Sequence, residues 1–402
     1  MVESSASGVP PMKTIAFIST VCFPISHCDV MLSRWNIPRE GDEAWGWGRS
    51  EVRAVSLYVG QHPENDISGP VAGAQGVTIY PTIEEALTLG TGTVVVDGVA
   101  LIAEHGDFPD DERGVKLYPR KEMFDEIIRV LDAIGKSIPI FCDKGLSWNR
   151  RWAIEMVEAC KVRGIPFFAG SSGPYGNSVP ELPSRILDEP EESLSVFFAG
   201  EEIYGFHSIE AAFSYLEQRP GGEAGIRALR VLRDDEAFAE INGEPGLNAL
   251  FRAALAAMDL DPDTIPRENY TRTLLFTFEH EHGLRSHHFH ADGVLRRFLI
   301  AIRSKSGEIA AARSAGGGPE THYAHFATLN RMIERMVATG KPSAPIERTL
   351  LSTLALSRVM DLHFAGGGPD FVPTPELGIS YQPLRRPRYA RFEIAAEWGY
   401  RP

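Results

Sequence analysis

The sequence contains little cysteine, only four residues among 402, and no two of them are separated by just two positions. Zinc and redox motifs of the C-x-x-C type are therefore excluded, and four irregularly spaced cysteines do not make a disulfide framework. The sequence also lacks any apolar run near the roughly 18 residues that a membrane-spanning helix needs. We expect a cytoplasmic protein that does not bind a membrane.

Basic residues are outnumbered by acidic residues, 40 against 54, which gives a formal net charge of −14. A field of this sign repels the phosphates of nucleic acids and anionic lipids, so we expect a small molecule as the partner and no nucleic acid. The composition, 43% hydrophobic and 23% charged, is that of a globular protein, and the length predicts two domains. Residues 1–12 lack the segments of a targeting signal and are expected to form a loose tail.

The residues from 13 to 170 alternate short apolar, β-branched runs with longer amphipathic stretches. This pattern predicts parallel strands connected by helices on both faces of the sheet. Thr82 and Glu85 form a capping box, and Gly135 and Gly164 follow two periodic stretches, so these residues predict helix ends. We predict a Rossmann-like, doubly wound α/β domain. Its predicted strands are 14–18, 54–59, 77–79, 94–103, 138–141 and 166–169.

A turn-rich stretch follows Gly170 and extends to Pro180, so we place the domain boundary between residues 170 and 171. Alternating strands are then mixed with helices, which predicts an α+β domain over 171–402 with a mostly antiparallel open sheet. The stretch 221–267 has a helical composition but too many Gly, Asp and Pro breaks to define an element. The predicted strands are 194–198, 270–278, 287–290 and 294–303, and the predicted helices are 208–218, 324–338 and 345–363.

The turn after the first strand contains none of the glycines that let a backbone approach a dinucleotide pyrophosphate. Ser19, Thr20 and Ser26 are the residues there that can offer hydroxyls and amides to a phosphate, although a purely structural loop explains them equally well. The second strand ends at Gly60 and Gln61, without the acidic residue that usually holds an adenosine ribose. Two of the three usual cofactor signals are therefore missing.

The strands that follow end in chemically active residues. Glu104 and His105 come after one strand, and Asp143 and Lys144 come after the next. The carboxyl ends of parallel strands meet at one edge, where doubly wound sheets bind ligands. An imidazole can exchange protons near neutral pH, and a lysine just past a buried strand can contact a ribose, a nicotinamide or a substrate hydroxyl.

These residues resemble motifs of the Gfo/Idh/MocA family, which includes glucose–fructose oxidoreductase and inositol dehydrogenases. Asp143-Lys144-Gly145 is similar to the family's Glu-Lys-Pro motif, and residues 76–87 resemble its segment between strands two and four. Tyr204-Gly-Phe-His207-Ser-Ile-Glu210 and the late helix 345–357 resemble its substrate-side motifs. The resemblance implies a Rossmann domain followed by an α+β domain, hydride transfer between NAD or NADP and a carbinol of a polyhydroxylated small molecule, and a homo-oligomer.

The same resemblance implies roles for individual residues. Lys144 and His207 would be the pair that transfers the proton and orients the hydroxyl, with His105 as a third catalytic residue. Glu210, one helical turn after His207, could orient the imidazole. From these positions together with the resemblance, we predict that Ser19, Thr20, Ser26, Glu104, Asp143 and Lys144 contact the cofactor and that Glu210, Tyr175 and His288 contact the substrate. A strip over 295–300 could form the subunit interface.

Two alternatives remain open at this point. A metal-dependent lyase or hydrolase could use the same cleft, with a cation held by His27, Asp29, His105 and Asp107. A second group of histidines, at positions 280, 282, 288 and 290, has the spacing of a hairpin metal site. The other alternative is a non-catalytic binding subunit that has lost the dinucleotide turn. We assign no metal ligands.

Overall fold

The first sheet of the structure is built by the N-terminal half of the chain. The computed structural model describes residues 11–45, 47–93, 95–315 and 318–383; residues 1–10 of the expected tail and Val94 of one predicted strand lie outside them. The six strands are β1 (Lys13–Ser19), β2 (Val52–Val59), β3 (Thr78–Ile79), β4 (Gly98–Ile102), β5 (Ile140–Asp143) and β6 (Phe167–Gly170). The helices between them are α1 (His27–Leu32), α2 (Ser68–Gln75), α3 (Ile83–Thr88), α4 (Arg120–Ile134) and α5 (Arg150–Arg163).

The strands of this sheet are all parallel, in the order β3-β2-β1-β4-β5-β6. Every residue of β4 and β5 is buried, as expected for strands covered on both faces. The Thr82 hydroxyl accepts a hydrogen bond from the Glu85 amide at the start of α3, and left-handed Gly135 and Gly164 end α4 and α5. The Rossmann-like prediction is confirmed.

The second sheet has eight strands, in the order β14-β9-β10-β11-β8-β12-β13-β7. Only the pair β8 and β11 is parallel among these neighbours, so the predicted mostly antiparallel sheet is confirmed. The strands are β7 (Asn177–Val179), β8 (Pro190–Phe197), β9 (Ile226–Arg233), β10 (Thr273–His280), β11 (Arg285–Ala291), β12 (Leu299–Ser304), β13 (Ile309–Ala315) and β14 (Gly368–Pro373). The helices are α6 (Ser184–Asp188), α7 (Glu201–Leu216), α8 (Asp234–Gly243), α9 (Pro245–Ala256), α10 (Phe326–Thr339) and α11 (Ile346–Phe364).

One face of the second sheet is covered by the helical hairpin of α8 and α9. Leu250 and Phe251 of α9 are buried in one cluster with Phe289 of β11 and Leu299 of β12. Leu295, Leu299 and Ile300 of the strip 295–300 are buried, whereas Arg296 is exposed, so the aliphatic side chains of the strip are not open to a partner subunit. The predicted homo-oligomer stays a prediction.

The two halves of the chain are packed together by α10 and α11. Met332, Met336 and Val337 of α10 share a buried cluster with Ile15 and Phe17 of β1. Helix α11 packs against α5, β6 and α7, so it lies between the two sheets. The domain division at residue 170 stays a prediction. Helix α10 lies after residue 170 in the sequence, but it packs on the first sheet. Within the described ranges, no helix combines the length and apolarity that crossing a membrane requires.

Candidate active site

The carboxyl ends of the first sheet's strands form a single edge, with β1 between β2 and β4. After β1 the chain adds β2 and β3 towards one edge of the sheet, and it then adds β4, β5 and β6 towards the other edge. The strand order therefore reverses beside β1. Open α/β sheets bind ligands in the crevice at such a reversal. The predicted residues Thr20, Glu104, His105, Asp143 and Lys144 all lie at the ends of β1, β4 and β5.

A buried carboxylate, Glu104, holds two cations at this edge. Lys144 Nζ donates a hydrogen bond to Glu104 Oε1 at 2.6 Å, and Arg120 Nη2 donates to Glu104 Oε2. The most exposed of the three side chains, Arg120, is only 8% exposed. Burial alone would raise the pKa of Glu104, but the charges of Lys144 and Arg120 outweigh it and hold that pKa well below its usual range. An ionised carboxylate thus fixes the lysine.

His105 and Lys144 both have a left-handed backbone, with φ of 67° and 63°. Non-glycine residues adopt such conformations at a cost of order 1–3 kcal/mol, and they concentrate at functional sites. The Lys144 amide also donates to the carbonyl of Gly170 at 3.0 Å, which ties the lysine backbone to β6. The orientations of both residues are therefore set by the fold.

His27 and Asp143 form a close pair between α1 and β5. His27 Nδ1 lies 2.5 Å from Asp143 Oδ2. Asp143 is fully buried, and its second oxygen, Oδ1, accepts no hydrogen bond from any described residue. A buried polar atom without a partner costs free energy, so Oδ1 marks a position for a hydrogen-bond donor from a ligand.

Two further imidazoles, those of His105 and His207, lie near this pair. The His27 ring packs edge-on against His105 at 5.2 Å and against Phe326 of α10 at 4.9 Å. Burial, followed by the charge of His27, lowers the pKa of His105 to about 4. His207 reaches the group from α7; burial and then the charge of Lys144 lower its pKa well below the usual value. The charge of Lys144 therefore acts on His207, although the two residues come from different halves of the chain.

A cavity of about 40 Å³ lies on the other side of Lys144, between the ends of β4 and β5 and the helices α7 and α11. It is large enough for ordered water or a small polar group. Arg120, Trp148 and Glu202 contribute to its wall. Burial raises the pKa of Glu202 to about 7, against the opposing charge of Arg120. A group that exchanges protons near neutral pH therefore borders the same lysine.

The three predicted phosphate-binding hydroxyls are buried and already bonded to the chain. Ser19 Oγ donates to the carbonyl of Val21, and Thr20 Oγ1 donates to the carbonyl of Glu104 at 2.8 Å. Ser26 Oγ accepts hydrogen bonds from the amide of Phe23 in the turn and from the amide of Asp29 in the first turn of α1. These contacts stiffen the turn, and they do not support a direct bond from these hydroxyls to a phosphate.

A two-bond bridge joins the loops after β2 and β4 across the end of β1. Gln61 Nε2 donates to the Asp107 carbonyl at 3.1 Å, and the Asp107 amide donates to Gln61 Oε1 at 2.8 Å. Gln61 occupies the position where an acidic residue would hold a ribose. The bridge is exposed to solvent, so it can open without exposing a core.

The predicted substrate-binding residues Glu210 and Tyr175 lie in a different, buried network. Glu210 is paired with Arg348 of α11 at 2.8 Å and accepts a hydrogen bond from Ser352 Oγ. Burial raises the pKa of Tyr175, against the opposing charge of Arg348. The contacts join α7, α11 and the end of β6. Glu210 therefore faces Arg348, and its proposed role in orienting His207 finds no support.

His288, also predicted to contact the substrate, is fully buried under α7. Its Nδ1 bonds the Ser208 hydroxyl at 2.9 Å, and its ring stacks on Phe276 at 4.7 Å. The role of His288 in packing the second sheet accounts for these contacts.

The metal alternative meets a geometric obstacle in the residues that the structure describes. Asp29 accepts a hydrogen bond from the Ile25 amide and lies 3.4 Å from His322 Nε2, while His27 turns to Asp143. No three His, Cys, Asp or Glu side chains in the described ranges converge as metal ligands.

Three residues of this site have no predicted catalytic or cofactor-binding role in the sequence analysis. Arg120 follows Pro119 at a helix start and gives no motif, and Glu202 reads as an ordinary acidic residue in a first helical turn. From the sequence, His27 is expected only as a possible metal ligand. Its position at the start of α1, directly after the turn that follows β1, is the feature that indicates a place at the sheet edge.

Solved structures with the same two-part architecture include several dehydrogenases. GenD2 from gentamicin A biosynthesis, solved in complex with NAD, is similar over 93% of this chain and 99% of its own, with a TM-score of 0.56 and 11% identity. A myo-inositol dehydrogenase from Corynebacterium glutamicum gives a TM-score of 0.56, 10% identity and coverages of 90% and 99%. The chain has their fold. A probable dehydrogenase from Thermotoga maritima is similar to the same degree, with a TM-score of 0.55 at 11% identity and coverages of 90% and 99%.

No protein-family model and no curated protein sequence matches the chain. At these identities the structural likeness establishes the fold, and activity has to be argued from the site. The fold that the resemblance to Gfo/Idh/MocA proteins implies is thus confirmed over nearly the whole length of the chain.

Proposed function

We propose that the protein is an NAD(P)-dependent oxidoreductase that acts on a carbinol of a polyhydroxylated small molecule, such as a sugar, a cyclitol or a nucleoside-derived compound. The observation that carries this proposal is the Lys144–Glu104 ion pair at the sheet edge, with His207 of the second half of the chain close enough for the charge of Lys144 to act on it. A lysine and a neutral imidazole on opposite sides of a crevice can hold a substrate hydroxyl from two directions.

The residues at the β5 end fit the nicotinamide part of a dinucleotide. Asp143 Oδ1 is buried without a donor, and the carboxamide N–H of a nicotinamide is a donor of the required kind. The negative charge of Glu104 offsets the positive charge of Lys144, so this ion pair adds no net charge beside an uncharged polyol. A dinucleotide would cross the end of β1, where the Gln61–Asp107 bridge has to open.

When bound, the nicotinamide supplies a hydride acceptor for the carbinol carbon. The chain's own residues supply the rest. The Lys144 ammonium has three N–H donors. One of them forms the hydrogen bond to Glu104, so another can donate a hydrogen bond to the substrate oxygen. His207 can accept or donate one hydrogen bond as a neutral imidazole and thereby align a hydroxyl.

Dinucleotide binding and hydride transfer are tested separately. NADH and NADPH are titrated into the protein with fluorescence as the readout, and reduction of NAD⁺ or NADP⁺ is then measured with inositols, glucose and UDP-N-acetylglucosamine. We expect micromolar binding of one dinucleotide and turnover with at least one polyol. Absence of binding of both dinucleotides would refute the proposal.

The site assignment has a matched control. Lys144→Ala and His207→Ala should each lower turnover by about 10²-fold or more, the size expected for loss of a proton-handling group. Lys161→Ala removes a half-exposed lysine whose closest acidic partner lies 3.4 Å away, and it should leave turnover unchanged. Equal turnover of all three variants would show that the site lies elsewhere.

A further inference from the structure

Among the three imidazoles at the crevice, His27 has a carboxylate within hydrogen-bonding distance of a ring nitrogen. Resting on the proposed function, we infer that His27 Nε2 takes the proton of the substrate hydroxyl, and that Asp143 positions the ring through Nδ1. The pair lies at 2.5 Å between the first residue of α1 and the last residue of β5. The His27 side chain is 12% exposed, so its ring borders open space while Asp143 is fully buried.

The geometry of the ring favours one tautomer and one orientation. A carboxylate at Nδ1 keeps the proton on that nitrogen, which leaves the lone pair on Nε2. His105 and Phe326 pack edge-on against two parts of the ring at 5.2 and 4.9 Å and prevent it from turning. A carboxylate-bound imidazole held in this manner acts as a base because the carboxylate stabilises the imidazolium that forms.

The neighbouring groups are less suited to accept the proton. Lys144 is held by the ionised Glu104 at 2.6 Å, so loss of a proton from Nζ would leave that carboxylate with one cation fewer in a buried site. His105 has its pKa lowered to about 4, and His207 has its pKa lowered well below the usual value, in each case mainly by burial. Each of these two imidazoles lacks a carboxylate within hydrogen-bonding distance in the described contacts, whereas His27 has one.

The groups that face His27 come from four elements. Asp143 and Lys144 lie at the end of β5, Glu104 and His105 follow β4, His207 comes from α7, and Phe326 begins α10. Two carboxylates therefore face one lysine and three imidazoles, with Arg120 behind Glu104. Addition of one proton at His27 raises the local charge by one unit, and Asp143 is the nearest group that offsets it.

The proposed step removes one proton and one hydride from the carbinol. The O–H bond of the carbinol breaks and its proton goes to His27 Nε2. The C–H bond breaks and its two electrons leave with the hydrogen as hydride to the oxidised nicotinamide, while the carbinol becomes a carbonyl. In the reverse direction His27 returns the proton to the alkoxide oxygen. No further oxidant or co-reactant is required.

The first test uses NMR of protein labelled with ¹⁵N-histidine. We expect a strongly downfield Nδ1 proton for His27, which is absent in His27→Gln and displaced in Asp143→Asn. His287→Gln serves as the control, because His287 is also paired with a carboxylate, Glu192 at 3.0 Å, but lies in the second sheet. Addition of NAD⁺ should shift the Nε2 resonance of His27 and leave that of His287 in place.

The second test is the pH dependence of turnover with the polyol found active. His27→Asn keeps a side-chain donor towards Asp143 but cannot accept a proton, and His27→Gln provides a second variant if the first folds poorly. We expect kcat to fall by about 10²- to 10³-fold with KM within threefold, and the acid limb of the pH profile to disappear. Asp143→Asn should retain more activity than either, with a shifted acid limb.

The outcomes separate this inference from the proposed function. If NAD⁺ or NADP⁺ binds and turnover is found, but the His27 variants keep wild-type kcat and the same acid limb, His27 is not the proton acceptor and the proposed function stands. If the dinucleotide binds without moving the His27 resonance, the inference fails in the same way. If neither dinucleotide binds, the proposed function fails and this role of His27 fails with it.

Discussion

Lys144 Nζ and Glu104 Oε1 lie 2.6 Å apart at the ends of adjacent strands, and neither side chain is more than 5% exposed. Glu104 also binds Arg120, so one carboxylate is shared by two buried cations. Two charges of the same sign are thereby kept together at the mouth of the crevice. This arrangement makes the carboxylate more important for folding than either of its partners.

We expect Glu104→Ala to cost more stability than Lys144→Met. The first change leaves two buried cations facing each other, and loss of a partner from a buried ion pair costs about 3–5 kcal/mol. The second change leaves Glu104 with Arg120 and replaces the amine by an apolar chain of similar length, so a cost of about 1–2 kcal/mol is expected. Urea unfolding followed by circular dichroism measures both. A larger loss for Lys144→Met would contradict this account.

Glu202 should make the stability of the protein fall as pH rises. Its pKa in the folded protein, about 7, lies above the unfolded value of 4.5, so between these values the folded state binds more protons. Stability is therefore present below pH 4.5 and is lost as pH rises through 7. Glu202→Gln should remove this component and stabilise the protein at pH 8 relative to pH 5, by at most about 3 kcal/mol because the side chain is partly solvated.

The measurement is the difference in free energy of unfolding between Glu202→Gln and the wild type at several pH values. Glu158→Gln, on the exposed face of α5, serves as the control and should show no such trend. A gain from Glu202→Gln that is the same at pH 5 and pH 8 would show that the carboxyl group is not destabilised by its surroundings.

Much of the fold follows from local signals, but four strands that the sequence analysis does not predict, β7, β9, β13 and β14, are exceptions. The apolar runs of β1, β4 and β5, and the glycines after α4 and α5, are recognisable because burial on both faces and a left-handed helix end each demand particular residues. Strand β9 consists largely of Ala, Leu and Arg, which favour helices. It is a strand because it pairs with β10 and β14, and such long-range pairing leaves no local pattern.

The candidate site divides in the same way. The positions of Glu104, Asp143 and Lys144 at strand ends follow from the order of elements alone. The partners of these residues do not, because Arg120 and His27 reach them from helices whose spacing to the sheet is set by tertiary packing. Glu210 shows the converse: its spacing from His207 is right for contact, but the pairing with Arg348 of α11 turns it away.

The Gln61–Asp107 bridge should oppose entry of a dinucleotide. It consists of two exposed hydrogen bonds across the end of β1, each worth about 0.5–1.5 kcal/mol net. Gln61→Ala should therefore raise the affinity for NADH by up to about tenfold, mainly through faster association, as measured by stopped-flow fluorescence. Gln382→Ala, which removes a comparable exposed amide bonded to the carbonyl of Gly221, should have no effect. Weaker binding by Gln61→Ala would show that this side chain holds the cofactor instead.

The packing of the α8–α9 hairpin on the second sheet should contribute to the stability of the protein. Phe251 of α9 is 1% exposed and packs edge-on against Phe289 of β11 at 5.5 Å between ring centres. Phe251→Ala should cost about 3–5 kcal/mol, the usual range for a buried phenylalanine. Phe364→Ala removes a ring that is 53% exposed at the end of α11 and should cost far less. Urea unfolding of both variants makes the comparison. Similar losses in the free energy of unfolding for Phe251→Ala and Phe364→Ala would mean that the hairpin does not cover the sheet face in solution.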